Sequence, residues 1–341
     1  MSSLKLGPFE IPHPFILAPM AGITNSPFRR LMKRRGSALV VSELVSANGL
    51  EYGGERTEHL LRYDEEERIV GIQIFGERED LLVKACVRVE ALGADFVDLN
   101  LGCPVPKVVK KGAGSAMCRD PIALGKTLKK MVDSVKIPVT IKIRTGWNNE
   151  EVNASEVIQA ATDAGVSWVA VHGRTRAQGY SGNADWDFIG ELKAKSSIPI
   201  IGNGDLNTAE AAVERYKDYG VDAVMIGRGA LRNPFIFEQS DALLNQRDPI
   251  VPSTEAYLDL ILGQRDLLEE SYGSRMAMIH GRKFLSWYAA GFPGCHEFRK
   301  NVFQSPDGDT LWKIAGDFFV ERVHLRNQEF LAQPFLMGGH G

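Results

Sequence analysis

Cysteine is scarce in this chain: four residues in 341, Cys86, Cys103, Cys118 and Cys295, and no two form a Cys-x-x-Cys pair. That excludes a zinc-ribbon or thioredoxin-type motif and fits a reducing compartment. Charge of one sign is also lacking, the formal net charge being −3. A surface that is wholly a nucleic-acid platform is therefore disfavoured, although a local basic patch is not. No apolar run approaches the roughly 18 residues of a spanning helix. No signal-type hydrophobic stretch follows Met1-Ser2-Ser3-Leu4-Lys5. The expectation is a cytoplasmic protein that does not engage a membrane. His, Asp and Glu nowhere cluster at metal-ligand spacing, so no metal is expected.

What remains is ordinary globular material, 44% hydrophobic and 24% charged. The length allows one large domain and a smaller one. Eight short apolar runs read as strands, at residues 15–18, 38–41, 70–75, 96–99, 139–143, 168–171, 199–201 and 223–226. Helical patterns fall between most of them, at 26–35, 79–92, 121–135, 153–164, 186–195 and 208–219. The first opens on Ser26-Pro27, read as N-cap and N1, and Asp120 is read as the cap of the third. A unit recurring eight times predicts a (β/α)8 TIM barrel. A doubly wound sheet is the alternative, but no Gly-x-Gly-x-x-Gly follows the first strand.

After Phe237 the pattern turns helical, at 256–272, 274–290, 296–303 and 310–327, with Pro249 and Pro252 at the junction. The expected domains are a barrel over 1–237 and a small all-helical domain over 238–341. Residues 338–341 are expected to fray.

Barrel chemistry sits at the C-terminal ends of strands. Those ends carry Pro19-Met20-Ala21, Ser42-Glu43, Gln73, Asn100 with Cys103, Lys142 with Arg144, His172 with Arg174, Asn203-Gly204-Asp205 and Gly227-Arg228-Gly229. Polar or small residues on nearly every strand end point to an enzyme. The last two loops suit a phosphate, because glycines bring backbone N–H groups close and Arg228 adds a forked cation.

Individual side chains stay ambiguous at this level. Lys142 reads as a charge stabiliser, a Schiff-base nucleophile or a solvated lysine. His172 reads equally as a cofactor contact, an acid or base, or a packing residue. Cys103, between Gly102 and Pro104, either does chemistry or fills space. Cys86 reads as core, Cys118 as partly exposed, and Cys295 has no evident partner. Residues 107–117 show no helix or strand period. Residues 275–300 interleave Arg275, Arg282, Lys283, Arg299 and Lys300 with Trp287, Tyr288, Phe292 and Phe298. That mixture suits RNA, yet composition alone favours aromatics that fill a bundle core.

Several motifs are specific in combination: Leu17-Ala18-Pro19-Met20-Ala21-Gly22, Gln73-Ile74-Phe75-Gly76, Asn100-Leu101-Gly102-Cys103-Pro104, Lys111-Gly112-Ala113-Gly114-Ser115-Ala116, Lys142-Ile143-Arg144-Thr145-Gly146-Trp147, His172-Gly173-Arg174-Thr175, Asn203-Gly204-Asp205 and Gly227-Arg228-Gly229. Through them the chain resembles the bacterial tRNA-dihydrouridine synthases over nearly its whole length. The resemblance implies an FMN-binding barrel joined to a helical tRNA-binding domain, with NADPH or NADH as reductant. It implies Pro19, Met20, Ala21, Gln73, Lys142 and His172 around the flavin ring. Asn203, Gly204, Asp205, Gly227 and Arg228 would hold the ribityl phosphate. It makes Cys103 the catalytic acid, protonating C5 of a flipped uridine after hydride passes from flavin N5 to C6. Asn100 and Arg144, and in the helical domain Arg282 and Lys283, are the implied RNA contacts. No obligate protein partner is evident, and a monomer is expected. The 107–117 loop would bring Cys103 over the base.

Two departures from the family pattern stand out. Asn25 replaces a common Asp, and Lys283-Phe284 stands where members often carry Lys-His. An FMN barrel acting on a free pyrimidine, like a dihydroorotate dehydrogenase, is the competing enzyme. An RNA-binding protein without catalysis is the competing class.

Overall fold

The computed structural model describes residues 4–327 and 329–333; the expected frayed tail lies outside the described residues. Eight parallel strands form the barrel: β1 Phe15–Leu17, β2 Val40–Val41, β3 Val70–Phe75, β4 Phe96–Leu101, β5 Val139–Arg144, β6 Val169–His172, β7 Ile200–Asn203 and β8 Ala223–Ile226. Each pairs with its sequence neighbour from β2 round to β8, and β8 pairs with β1. Backbone bonds from Leu17 N to Leu39 O, at 3.1 Å, and from Ala38 N to Phe15 O, at 3.0 Å, join the two ends. This closure decides for the TIM barrel over the doubly wound sheet, which would leave two free edges.

Four strands run farther toward the mouth than their apolar runs predict. Asn100, Arg144, His172 and Asn203 are strand residues rather than loop residues. Sequence hydrophobicity stops where these polar groups begin, but the ladder continues because their side chains find partners inside the barrel. At the start, by contrast, Ala38 and Leu39 lie outside β2.

One register sets the site. Gln73 lies opposite Asp98, and Asp98 opposite Thr140. Asn100 lies opposite Lys142, Arg144 opposite His172, and His172 opposite Asn203. Alternate residues of a strand share a face. Asp98 and Asn100, and likewise Thr140, Lys142 and Arg144, therefore rise in successive inward layers.

The opposite end is plugged by a hairpin absent from the sequence reading, Leu4–Leu6 paired antiparallel with Phe9–Ile11. Leu6 and Ile11 bury against Phe96, Trp168 and Met225, with the Phe96 and Trp168 rings 5.0 Å apart edge to face. Gly71 on β3 leaves room for this plug. A Cβ there would lie 2.2 Å from the Phe96 ring.

The Ser26–Arg34 helix is capped by Asn25 rather than Ser26. Asn25 Oδ1 accepts from Phe28 N at 3.1 Å, while Ser26 donates to Glu67. Asp120 caps Pro121–Asp133 through Ala123 N at 3.0 Å, as expected. The 107–117 run is not featureless. It holds the short helix Pro106–Val109 and enters the 3-10 turn Gly114–Arg119.

The stretch Thr254–Tyr288 holds the first two helices read from the sequence, broken at Gly273 with φ 74° and ψ 161°. It packs on Cys295–Gln304 and Gly308–Arg322. Tyr257, Tyr288, Phe292, Phe298 and Phe319 are buried there, so most of the interleaved aromatics are core, as composition favours. Phe284, the residue departing from the family pattern, is buried and stacks on Phe28 at 5.1 Å. It therefore fastens the long helix to Ser26–Arg34 of the barrel. Arg30–Glu270 at 3.0 Å and Arg35–Asp259 at 2.6 Å flank that contact. Among the described residues, no helix is long and apolar enough to cross a membrane.

Candidate active site

The C-terminal ends of the strands surround a cavity of ≈ 230 Å³. Fourteen of the residues singled out from the sequence line it: Pro19, Met20, Ala21, Gln73, Asn100, Cys103, Lys142, Arg144, His172, Asn203, Gly204, Asp205, Gly227 and Arg228; Ser42, Glu43 and Arg174, also at strand ends, do not.

One wall is a rigid apolar turn. Met20 O accepts from Ile23 N and Thr24 N at 3.1 and 3.0 Å, and Thr24 Oγ1 accepts from Met20 N at 3.0 Å. The turn is tied internally and presents Pro19, Met20 and Ala21 to the cavity.

The floor is polar and buried. Gln73 Nε2 donates to Asp98 at 2.7 Å, and Asn100 Nδ2 donates to Gln73 Oε1 at 2.9 Å. Lys142 Nζ donates to Asn203 Oδ1 at 2.9 Å, while Asn203 Nδ2 donates to Met225 O at 2.6 Å. Burial, with Arg144 nearby, lowers the Lys142 ammonium to about 8. His172 is held well below its usual value by burial and by Arg144, Lys142, Arg174 and Arg228. It is therefore neutral, with one ring nitrogen able to donate and the other to accept.

Asp205 organises the phosphate-type loop. Its carboxylate receives Arg174 Nη1 and Nη2 at 2.9 and 2.8 Å, and the Arg228 guanidinium lies 3.7 Å away. Gly204 has φ 131°, and a Cβ there would lie 2.5 Å from Ala184 Cβ and 3.2 Å from His172 Cδ2. Only a bare backbone fits.

Cys103 sits on the wall between these groups. Its N donates to Asn100 Oδ1 at 2.9 Å, and its O accepts from Ser115 Oγ at 3.1 Å. Gly114, at φ 61°, packs directly on it, since a Cβ would meet Cys103 Cβ at 3.3 Å. Burial pushes the Cys103 thiol up, opposed by the Val105 backbone and Arg144. The thiol is thus protonated at neutral pH, the state an acid requires. Arg144 is fixed over the same space. Its Nε donates to Gly102 O at 2.9 Å and its Nη1 to Thr175 O and Gly179 O at 3.1 and 2.8 Å.

With this geometry established, comparison with known proteins decides the family. The Dus family model, dihydrouridine synthase, matches residues 16–316. The chain belongs to the dihydrouridine synthase family. It is 39% identical over 324 residues to tRNA-dihydrouridine synthase B of Pseudomonas aeruginosa, covering 94% of this chain and 97% of that one. It is 38% identical to a probable tRNA-dihydrouridine synthase of Rickettsia conorii, covering 93% and 96%. Solved structures share the fold at lower identity. DHODH from Eimeria tenella has a TM-score of 0.54 at 15% identity, covering 72% of this chain and 84% of that one. An amine oxidase from Pseudomonas geniculata has 0.57 at 14%, covering 76% and 52%. The synthase is thus an enzyme on a barrel that other enzymes also use.

Two sequence-singled residues of this synthase lie away from the cavity. Arg282 Nη2 donates to Ser305 O at 2.6 Å, tying the long helix to the end of Cys295–Gln304. Lys283 donates to Gly22 O at the seam with the barrel, with its Nζ 5.5 Å from the Trp287 ring centre. Cys118 is buried rather than partly exposed, because the 3-10 turn places its Sγ 3.6 Å from Leu101 O. Cys86 is buried as expected, and no disulfide forms among the four cysteines.

Sequence reasoning missed Tyr180 and Asp98. Tyr180 lines the cavity, and the Arg228 and Arg144 guanidinium carbons lie 4.5 and 5.6 Å from its ring centre. Nothing in its loop marks it except an aromatic beside Gly179. Asp98 carries one signal, an acid in the middle of a mainly apolar strand, but nothing local names its partners.

Proposed function

We propose that this synthase reduces particular uridines of tRNA to 5,6-dihydrouridine, using bound FMN and taking electrons from NADPH or NADH. The observation that carries the reading is the meeting, in one chamber, of the Cys103 thiol, the cations Lys142, Arg144 and Arg228, and a bare backbone at Gly204. The named relatives support uridine in tRNA as the substrate class.

The residues present fit FMN. Lys142, Arg144 and Arg228 outnumber Asp205 around the cavity, so an anionic ligand is favoured. The bare Gly204 backbone and Arg228 suit its phosphate, with Asn203, Asp205 and Gly227 completing the cradle. The Pro19–Ala21 turn offers an apolar face to the ring, while Gln73, Lys142 and His172 offer hydrogen-bonding groups to its edge. When bound, FMN supplies the hydride delivered to C6 of the uracil.

The chain's own groups do the rest. Cys103 Sγ holds the proton that is donated to C5. Lys142, mostly charged below about pH 8, sets a positive charge against an anionic ligand where water is largely excluded. Asn100 Oδ1 already accepts from Cys103 N and Gly102 N. What Asn100 can still offer a uracil is its second amide N–H. Arg144, locked by three carbonyls, adds fixed donors for the base. A stacked uridine must leave its neighbours to reach this floor. The helical unit, through surfaces including Arg282 and Lys283, holds the folded RNA meanwhile. FMN as the flavin, a 1–237 catalytic unit, a monomer and a cytoplasmic setting belong to the same reading.

The test is dihydrouridine mapping in tRNA from a strain lacking the protein. Loss at defined positions, restored by the wild type and not by Cys103→Ala, supports the reading. An unchanged map overturns it.

A further inference from the structure

Beneath the chamber floor lies a carboxyl that the proposed chemistry does not use. Asp98, 4% exposed, sits two residues before Asn100 on the inward face of β4. Its Oδ1 accepts from Thr140 Oγ1 at 2.6 Å and its Oδ2 from Gln73 Nε2 at 2.7 Å. Gln73 Oε1 accepts from Asn100 Nδ2 at 2.9 Å. Asn100 Oδ1 accepts from Cys103 N at 2.9 Å and from Gly102 N at 3.3 Å.

The direction of this chain follows from its ends. A backbone N–H can only donate, so Asn100 must turn its oxygen toward Cys103 and its nitrogen toward Gln73. Gln73 must then face Asn100 with its oxygen and turn its Nε2 inward. At 2% exposure, that N–H needs a protein acceptor. Asp98 provides one, and its other oxygen faces the Thr140 hydroxyl.

We infer that Asp98 is a positioning residue: through Gln73 and Asn100 it ends a one-directional hydrogen-bond chain that fixes the backbone of Cys103 against the chamber. The inference rests on the proposed role of Cys103 as the acid. It explains an acid at the buried middle of β4, where an apolar residue would satisfy packing alone. Burial raises the Asp98 carboxyl, opposed by Gln73, Thr140 and Lys142. The acceptor role needs only the oxygens, so it survives either protonation state.

Three variants test this: Asp98→Leu removes the acceptor, Asp98→Asn keeps one, and Asn100→Asp removes the donor to Gln73. Two readouts are used. One is peptide-resolved alkylation of Cys103 by iodoacetamide in the flavin-free protein. The other is single-turnover reduction of tRNA, with KM measured separately. In Asp98→Leu the alkylation rate should change about fivefold or more, the scale of one lost buried hydrogen bond. Reduction should fall ~10²-fold, the cost of misplacing a reacting group by about an ångström, with KM for tRNA unchanged. Asp98→Asn should stay within about threefold of wild type, because its amide oxygen still serves Gln73.

Wild-type alkylation and turnover in Asp98→Leu would overturn the inference. So would an Asp98→Asn variant as impaired as Asp98→Leu. If Asp98→Leu does not fold, Asn100→Asp decides. A wild-type alkylation rate there overturns the chain. Failure of the wild type to reduce tRNA would instead overturn the proposed function, and the alkylation comparison would still stand.

Discussion

Replacing Arg228 by Met should separate the phosphate from the rest of the flavin. The Arg228 guanidinium lies 3.7 Å from Asp205 Oδ1 and 4.5 Å from the Tyr180 ring centre. Asp205 keeps its two-pronged pair with Arg174 at 2.9 and 2.8 Å. Removing Arg228 therefore strands no buried carboxylate, and Met retains the apolar contact with Tyr180. The loss should fall on the ligand. A hydrogen bond to a charged group contributes roughly 1.5–3 kcal/mol. At about 1.4 kcal/mol per tenfold, FMN affinity should drop by about 10- to 150-fold. Riboflavin has no phosphate, so its affinity should stay within about threefold. The assay is fluorescence titration of flavin-free protein with each flavin, the FMN series repeated at two salt concentrations. Arg228→Lys should recover only part of the loss, since an ammonium lacks the fork. Equal weakening of both flavins, or no weakening of FMN, would refute the phosphate assignment.

Cys103→Ala should lower uridine reduction by roughly 10²–10⁴-fold yet keep flavin bound and NADPH oxidation by air intact; stopped-flow absorbance and mass spectrometry of digested tRNA check both. Lys142 carries its charge below about pH 8 and loses it as pH rises through that value. FMN affinity should therefore fall between pH 7 and 9, and Lys142→Met should bind more weakly with no such fall, both read by titration across pH. Phe284→Ala empties the stack on Phe28 that joins barrel and helices. It should cost about 3–5 kcal/mol, read as a lower urea midpoint at constant m-value.

The barrel was legible because its eight strands are apolar runs separated by helical patterns, and hydrophobic periodicity is the strongest local signal. The N-terminal hairpin was not. Leu4–Leu6 and Phe9–Ile11 are three residues each, too short for a period, and they exist because Trp168 and Phe96 need covering. The site residues were legible by position, since strand ends alternate inward. Their partners were not. Asp98 reads locally as a blemish in Phe96–Leu101, and only the register opposite Gln73 and Thr140 gives it a purpose. Gly273 illustrates the reverse: the sequence suggested two helices, and a single residue at positive φ carries the whole break. Arg282 stood out as one cation of a basic, aromatic-rich stretch, but its bond to Ser305 O is a tertiary contact that no local pattern records.

The central claim is that one chamber couples a flavin to an acid thiol acting on RNA. Purified protein, FMN and NADPH should be incubated with unmodified tRNA transcript and, separately, with free uridine. The expected result is dihydrouridine at discrete tRNA positions, abolished by Cys103→Ala, with little conversion of the free nucleoside. Efficient reduction of free uridine with none in tRNA, or full activity without the thiol, would contradict it.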